Sequence, residues 1–220
     1  MCFSATASFA SGATVAIVGV ATLARTRHHN EWLFAAIPFL FAIHQTIEGM
    51  VWLGLHDRLG AGSLGGWGFL YMLYAQALLP LLMPLSVWLI EPDMLRRRRI
   101  LPFLMLGVGL CAYTLWALIN FETAIEVRGH SVAYSNSGTG SRLVAALYIA
   151  ATCGAVLFSG YRYIVAFGVL NLLGMITVLI FKQYAFTSIW CAYAAIISVL
   201  IYVHFHRRRR AEAQGAVLEH

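Results

Sequence analysis

His44 and Glu48 lie four residues apart in an apolar stretch, with Gln45 between them. That spacing puts the imidazole and the carboxylate on one face of an α-helix, with the amide close beside them. Ionisable groups at membrane depth are costly and usually face a bundle interior, where they mark a site. A third candidate is Cys2, on the short apolar tail Met1-Cys2-Phe3, which has reason to tuck between helix ends rather than stay in water. Thiolate, imidazole and carboxylate are a ligand set for zinc and, in other geometries, for other transition metals. The expected metal ligands are therefore Cys2, His44 and Glu48, holding a divalent transition metal, with zinc the expected ion. Such an ion brings bound water to a pKa of about 7. Glu48 is the expected catalytic residue, either through that water or as a general base. Gln45, Tyr71, Tyr74, Gln76 and Cys191 are expected around the cavity, with His130 on a lid.

The elements that must position these groups are transmembrane helices. Hydrophobic residues make up 60% of the chain and charged residues 11%, and the mean hydropathy is +0.76. This balance excludes an ordinary soluble domain. A bilayer core needs about 20 apolar residues per helix, and seven stretches supply them: 3–24, 32–54, 67–90, 100–120, 142–159, 161–181 and 183–205. Counted on alternate sides, eleven Lys and Arg fall on one side (Arg25, Arg27, Arg96 to Arg99, Arg162, Arg207 to Arg210) and four on the other (Arg58, Arg128, Arg142, Lys182). The richer side is expected to be cytoplasmic. The expected fold is thus an all-α integral membrane protein, a seven-transmembrane bundle in the plasma or inner membrane, with its N-terminus outside and its C-terminus in the cytoplasm. With about 1.5 Å of rise per residue, Glu48 falls about 9 Å below the outer boundary and His44 near the midplane.

The link between the fourth and fifth stretches is long and polar. Within it Ala124–Val127 and Ser131–Tyr134 flank Arg128-Gly129-His130, a pattern that predicts a short β-hairpin resting on the helix ends. Residues 1–206 read as the membrane domain, 207–217 as a basic cytoplasmic tail, and 218–220 as the remnant of an expression tag. The formal net charge of +6 comes mostly from arginine runs beside apolar stretches. It reads as a topology signal facing anionic lipid, with no nucleic-acid partner. The four cysteines show no CxxC spacing and imply no disulfide framework.

The opening Met1-Cys2-Phe3-Ser4-Ala5-Thr6-Ala7-Ser8-Phe9, with Ile37-Pro38, His44-Gln45, Glu48-Gly49 and Trp52, resembles an uncharacterised bacterial family of multi-pass membrane proteins. The resemblance covers the first quarter of the chain and implies no activity. Microbial rhodopsins carry a retinal lysine within the last helix, and 183–205 has none. The seven-helix hydrolases that include alkaline ceramidases and adiponectin receptors use a serine, an aspartate and three histidines around zinc. Ser4 or Ser8 with His44 is loosely similar to that set, whereas His204 and His206 have a different spacing and no aspartate lies inside a span.

Three functions remain open. The first is a metal site activating water for hydrolysis of a lipid or small molecule. The second is a ligand-binding sensor. The third is a proton or small-solute transporter with His44 and Glu48 as a relay, against which the apolar inner halves of the stretches weigh.

Overall fold

The structure, a computed structural model, describes residues 4–56, 58, 62–129, 131–181 and 186–214; the side chains of 179–181, 186–188, 190–192 and 213 are not among them. Helices α1 (Ala5–Leu23) and α2 (Trp32–Leu55) are followed by α3 (Ser63–Ile90) and α4 (Met94–Asn120). Strands β1 (Thr123–Arg128) and β2 (Ser131–Asn136) come next, then α5 (Arg142–Leu157), α6 (Arg162–Phe181), α7 (Phe186–Ile197) and α8 (Val199–Ala213). Among the described residues, four helical segments are long and apolar enough to cross a membrane: Ala5–Leu23, His29–Leu55, Ser63–Ile90 and Met94–Asn120. The described residues of the remaining three apolar stretches are also mainly helical.

Polar side chains set several helix starts. Ser4 accepts a hydrogen bond from Ala7 N at 3.2 Å, and Ser141 accepts one from Val144 N at 3.2 Å. Asp93 accepts one from Leu95 N at 2.8 Å, satisfying an otherwise orphan donor of the first turn. That last cap corrects the expected start of the fourth span. The helix begins at Met94 rather than near 100, so Arg96 to Arg99 lie in its first turns and not in a link. The seventh stretch differs too, since it is two helices parted at Ser198. The Ser198 hydroxyl donates to the Ala195 carbonyl, a back-bond that bends helices.

Helix α3 contains a π-helical segment at Leu73–Leu78. Pro80 comes two residues after it, and a proline lacks an N–H and crowds the carbonyl four residues earlier, here that of Gln76. Local unwinding accommodates both defects. The Tyr148 hydroxyl of α5 donates to the Ala75 carbonyl at 2.7 Å, bracing the segment from a neighbouring helix. Tyr74 and Gln76 lie on this rewound turn.

Of the four long apolar helices α2 is the most enclosed, with Phe34, Ile37, Phe41, His44, Glu48 and Val51 all buried. Its closest neighbour is α1, which turns Ser8, Gly12, Val15, Gly19 and Thr22 inward. This small-residue face lets two backbones approach. A Cβ at Gly19 would lie 2.6 Å from the backbone N and Cα of Phe39. The opposite side of α1 exposes Ile17 and Val20, and α4 exposes Met105, Trp116 and Ile119, as lipid-facing surfaces would.

The arginine-rich end is closed by buried carboxylates. Glu31 is 1% exposed, pairs with Arg208 at 3.0 Å and with Arg209, and accepts from the backbone N of Arg27 at 3.0 Å. Glu91, 2% exposed, accepts from Gly160 N at 2.8 Å and Ser159 Oγ at 3.2 Å, fixing the turn between α5 and α6. Burial would raise the Glu212 carboxyl, but Arg209, Arg208 and Arg27 hold it below the usual carboxylate range. Helix α8 runs on through Arg207 to Arg210 without a break, and Arg209 Nε also donates to the Arg25 carbonyl at 2.7 Å.

The α1 contact yields a direct test. Gly19→Leu should cost about 1–3 kcal/mol, the usual range for overpacking a tight site, seen as a lower midpoint in thermal unfolding of the detergent-solubilised chain. Gly65→Leu, where an added Cβ meets nothing within 4 Å, should leave the midpoint unchanged. Equal effects of the two substitutions would refute close α1–α2 packing.

Candidate functional site

The hairpin end of the bundle gathers the polar side chains that the arginine end does not use. His44, Gln45 and Glu48 are each fully buried on α2, one turn apart. Tyr71 of α3 stacks on the His44 ring with centroids 4.1 Å apart and planes 26° apart. Tyr74 covers the ring at 4.7 Å. The π segment of α3 begins between these tyrosines, and both rings still reach the same imidazole. With its faces covered, His44 presents its nitrogens only in the ring plane, which is where an imidazole binds a metal or a hydrogen-bonding partner. Neither ring nitrogen has a hydrogen-bond partner among the described residues.

The hairpin caps this column. Tyr134 of β2 stacks on Tyr71 with centroids 4.3 Å apart and planes 8° apart. Ile125 of β1 fills the space beside Gly68 of α3, where a larger residue would meet its side chain. A two-stranded ribbon is marginal alone, and these two contacts seat it on α3. The strands pair from Thr123–Asn136 to Arg128–Ser131, the hairpin expected from the sequence and slightly longer.

From the other side, α1 brings Ser11, whose hydroxyl lies 3.2 Å from Gln45 Oε1 and 2.9 Å from the Ser8 carbonyl. Its single proton serves one acceptor at a time. Gln45 Nε2, Ser8 Oγ and Trp52 Nε1 are buried and without a hydrogen-bond partner among the described residues, and so is Gln76 Oε1. Phe9 of α1 packs on Gly49, so the start of α1 lies beside Glu48.

The structure thus brings together His44, Gln45, Glu48, Tyr71 and Tyr74. Cys2 and His130 lie outside the described residues, as does the Cys191 side chain. Among the described residues no group of three or more His, Cys, Asp or Glu side chains is placed to hold a metal ion. Sequence reasoning missed Ser11 and Tyr134 as site residues and overlooked the buried indole of Trp52. Ser11 was detectable in principle, because it borders the small-residue face of α1. Tyr134 was not, since its role depends on where the hairpin lands.

A family profile matches residues 1–216, almost the entire chain. The chain belongs to DUF6629, a family of unknown function. No curated protein and no solved structure matches it. Membership agrees with the amino-terminal resemblance to an uncharacterised family and brings no activity or ligand with it, so the reading of this member of DUF6629 rests on its own residues.

An unpartnered buried polar group costs about 1–3 kcal/mol. In metal-free chain, stripped with a chelator and checked for residual metal, His44→Phe should keep the stacking against Tyr71 and Tyr74, remove that cost, and raise the unfolding midpoint. A large loss of stability would show that His44 serves the fold through a hydrogen bond.

Proposed function

We propose that this is a seven-span membrane protein of the plasma or inner membrane, with the hairpin end outside and the arginine end in the cytoplasm. In this reading its hairpin-capped site binds a divalent transition metal. The observation that carries the proposal is the enclosed His44 imidazole, with in-plane nitrogens free of partners among the described residues and Glu48 one turn away. His44 and Glu48 are the first two ligands. Cys2 is the third, because the packing of Phe9 on Gly49 starts α1 beside Glu48 and only two residues separate Ser4 from Met1. Thiolate, imidazole and carboxylate suit zinc, with a fourth position for water.

A metal here would supply an activated water, and Glu48 would act on that water or serve as a general base toward a lipid or small molecule entering under the hairpin. Gln45, held by Ser11, and the tyrosines would orient such a substrate. Phe34, Ile37, Phe41, Leu79 and Met83 fill the core toward the arginine end, which favours a closed pocket over a relay across the membrane. A second reading, a sensor for a small hydrogen-bonding ligand, draws support from the buried amide and hydroxyl atoms of Gln45, Gln76 and Ser8.

Metal content decides between them. Protein purified without chelators or an immobilised-metal column should carry or take up about one zinc per chain, with the tetrahedral ligand set in view. His44→Ala should abolish that stoichiometry, and Cys2→Ser should weaken it at least about tenfold, since a hydroxyl replaces a thiolate. If zinc, copper, iron and manganese all fail to bind on titration, the metal reading falls and the small-ligand reading takes its place.

A further inference from the structure

We infer that the arginine end carries a second site, built to hold a phosphate group at the membrane boundary. A half-open cavity of about 1110 Å3 opens there, lined by Tyr161, Arg162, His204, Arg207, Arg208 and Arg210 among others. Small-molecule pockets run to roughly 300–1,000 Å3, so the space fits a phosphorylated headgroup with room to spare.

Its charge is only partly neutralised. Arg208 is committed to Glu31 and Glu212, whereas Arg162, Arg207 and Arg210 have no carboxylate partner among the described residues. Tyr163 gathers two of them: the guanidinium carbons of Arg162 and Arg207 lie 4.8 and 5.5 Å from its ring centre. Arg162 also donates to the Tyr163 hydroxyl at 3.1 Å. Aromatic contacts of this kind position a guanidinium without cancelling its charge. The planar donor forks then suit the oxygens of a phosphate.

A cationic rim alone would attract any anion. The second observation is His204, 4% exposed and lining the same cavity, whose Nε2 has no hydrogen-bond partner among the described residues. Its ring is held edge-on to Tyr161 with centroids 4.8 Å apart. A buried ring in the cavity wall whose nitrogen lacks a partner among the described residues gives the site a directional group that a solvated arginine patch lacks. The apolar run of α8 ends at Phe205 and the arginines begin at Arg207, which sets the cavity where headgroup phosphates lie if the helix enters a bilayer. The inference shares the membrane reading with the proposed function but is independent of His44, so loss of the metal site would leave it standing.

The test uses the full chain in neutral detergent, titrated with dioctanoyl phosphatidylglycerol, dioctanoyl phosphatidylcholine and inorganic phosphate. Phosphatidylglycerol should bind at least about tenfold more tightly than phosphatidylcholine. Arg162→Gln and Arg210→Gln should each weaken it about fivefold, the usual scale for one basic residue at an anionic surface. His204→Phe should weaken it without changing the charge, while Arg98→Gln, at an exposed position outside the cavity, should not. Displacement of the lipid by low-millimolar inorganic phosphate would assign the site to a soluble phosphate compound, and resistance to displacement would assign it to a lipid. Equal binding of the two lipids, unaffected by Arg162→Gln and Arg210→Gln, would overturn the inference. So would an Arg98→Gln loss as large as that of Arg210→Gln, or a His204→Phe variant that binds like wild type.

Discussion

The close approach of α1 to α2 is the constraint on which the rest of the molecule depends. Gly12 and Gly19 keep Cβ atoms out of the interface, so the Ser8–Thr22 face of α1 lies directly on α2. That contact encloses His44, Gln45 and Glu48 from one side while α3 encloses them from the other. It also presents Ser11 to Gln45 and seats Phe9 against Gly49. Without it, an imidazole and a carboxylate would lie on the outer face of an apolar helix, at a high cost if that face meets lipid. The apolar outer side of α1 pays for nothing in the site and is free to meet lipid.

Buried polar groups in the bundle divide into well-partnered and unpartnered ones. At the arginine end Glu31 and Glu91 receive multiple donors from backbone and side chains. At the hairpin end His44 receives none among the described residues, although hydroxyl-bearing tyrosines stack against it. Native interiors satisfy most of their buried polar groups; the Glu31 and Glu91 carboxylates follow that rule, whereas among the described residues His44 at one end and His204 Nε2 at the other do not. Departures from that rule concentrate at functional sites, which is why His44 rather than Glu31 anchors the functional reading.

Much of the scaffold was legible in the amino-acid sequence. Apolar stretches located the helices, and the i, i+4 spacing of His44 and Glu48 placed them on one face, because both signals are local. The hairpin was legible from its flanking β-prone segments around Arg128-Gly129-His130. What escaped was set by tertiary contact or by local chemistry overriding hydropathy. Hydropathy placed Arg96 to Arg99 outside a helix that Asp93 in fact caps. The arginines after Phe205 read as a basic cytoplasmic tail, whereas Arg208 and Arg209 close on Glu31, far away in sequence. The Tyr134–Tyr71 stack joins a strand of the hairpin to a helix well before it in the chain, and no periodicity announces it.

X-ray absorption at the zinc edge of protein loaded with one equivalent of zinc tests the central claim most directly. The account predicts one sulfur scatterer at about 2.3 Å and nitrogen or oxygen scatterers at about 2.0–2.2 Å, a spectrum lost in His44→Ala. A shell of nitrogen and oxygen alone that persists unchanged in His44→Ala would place the ion elsewhere and contradict the account.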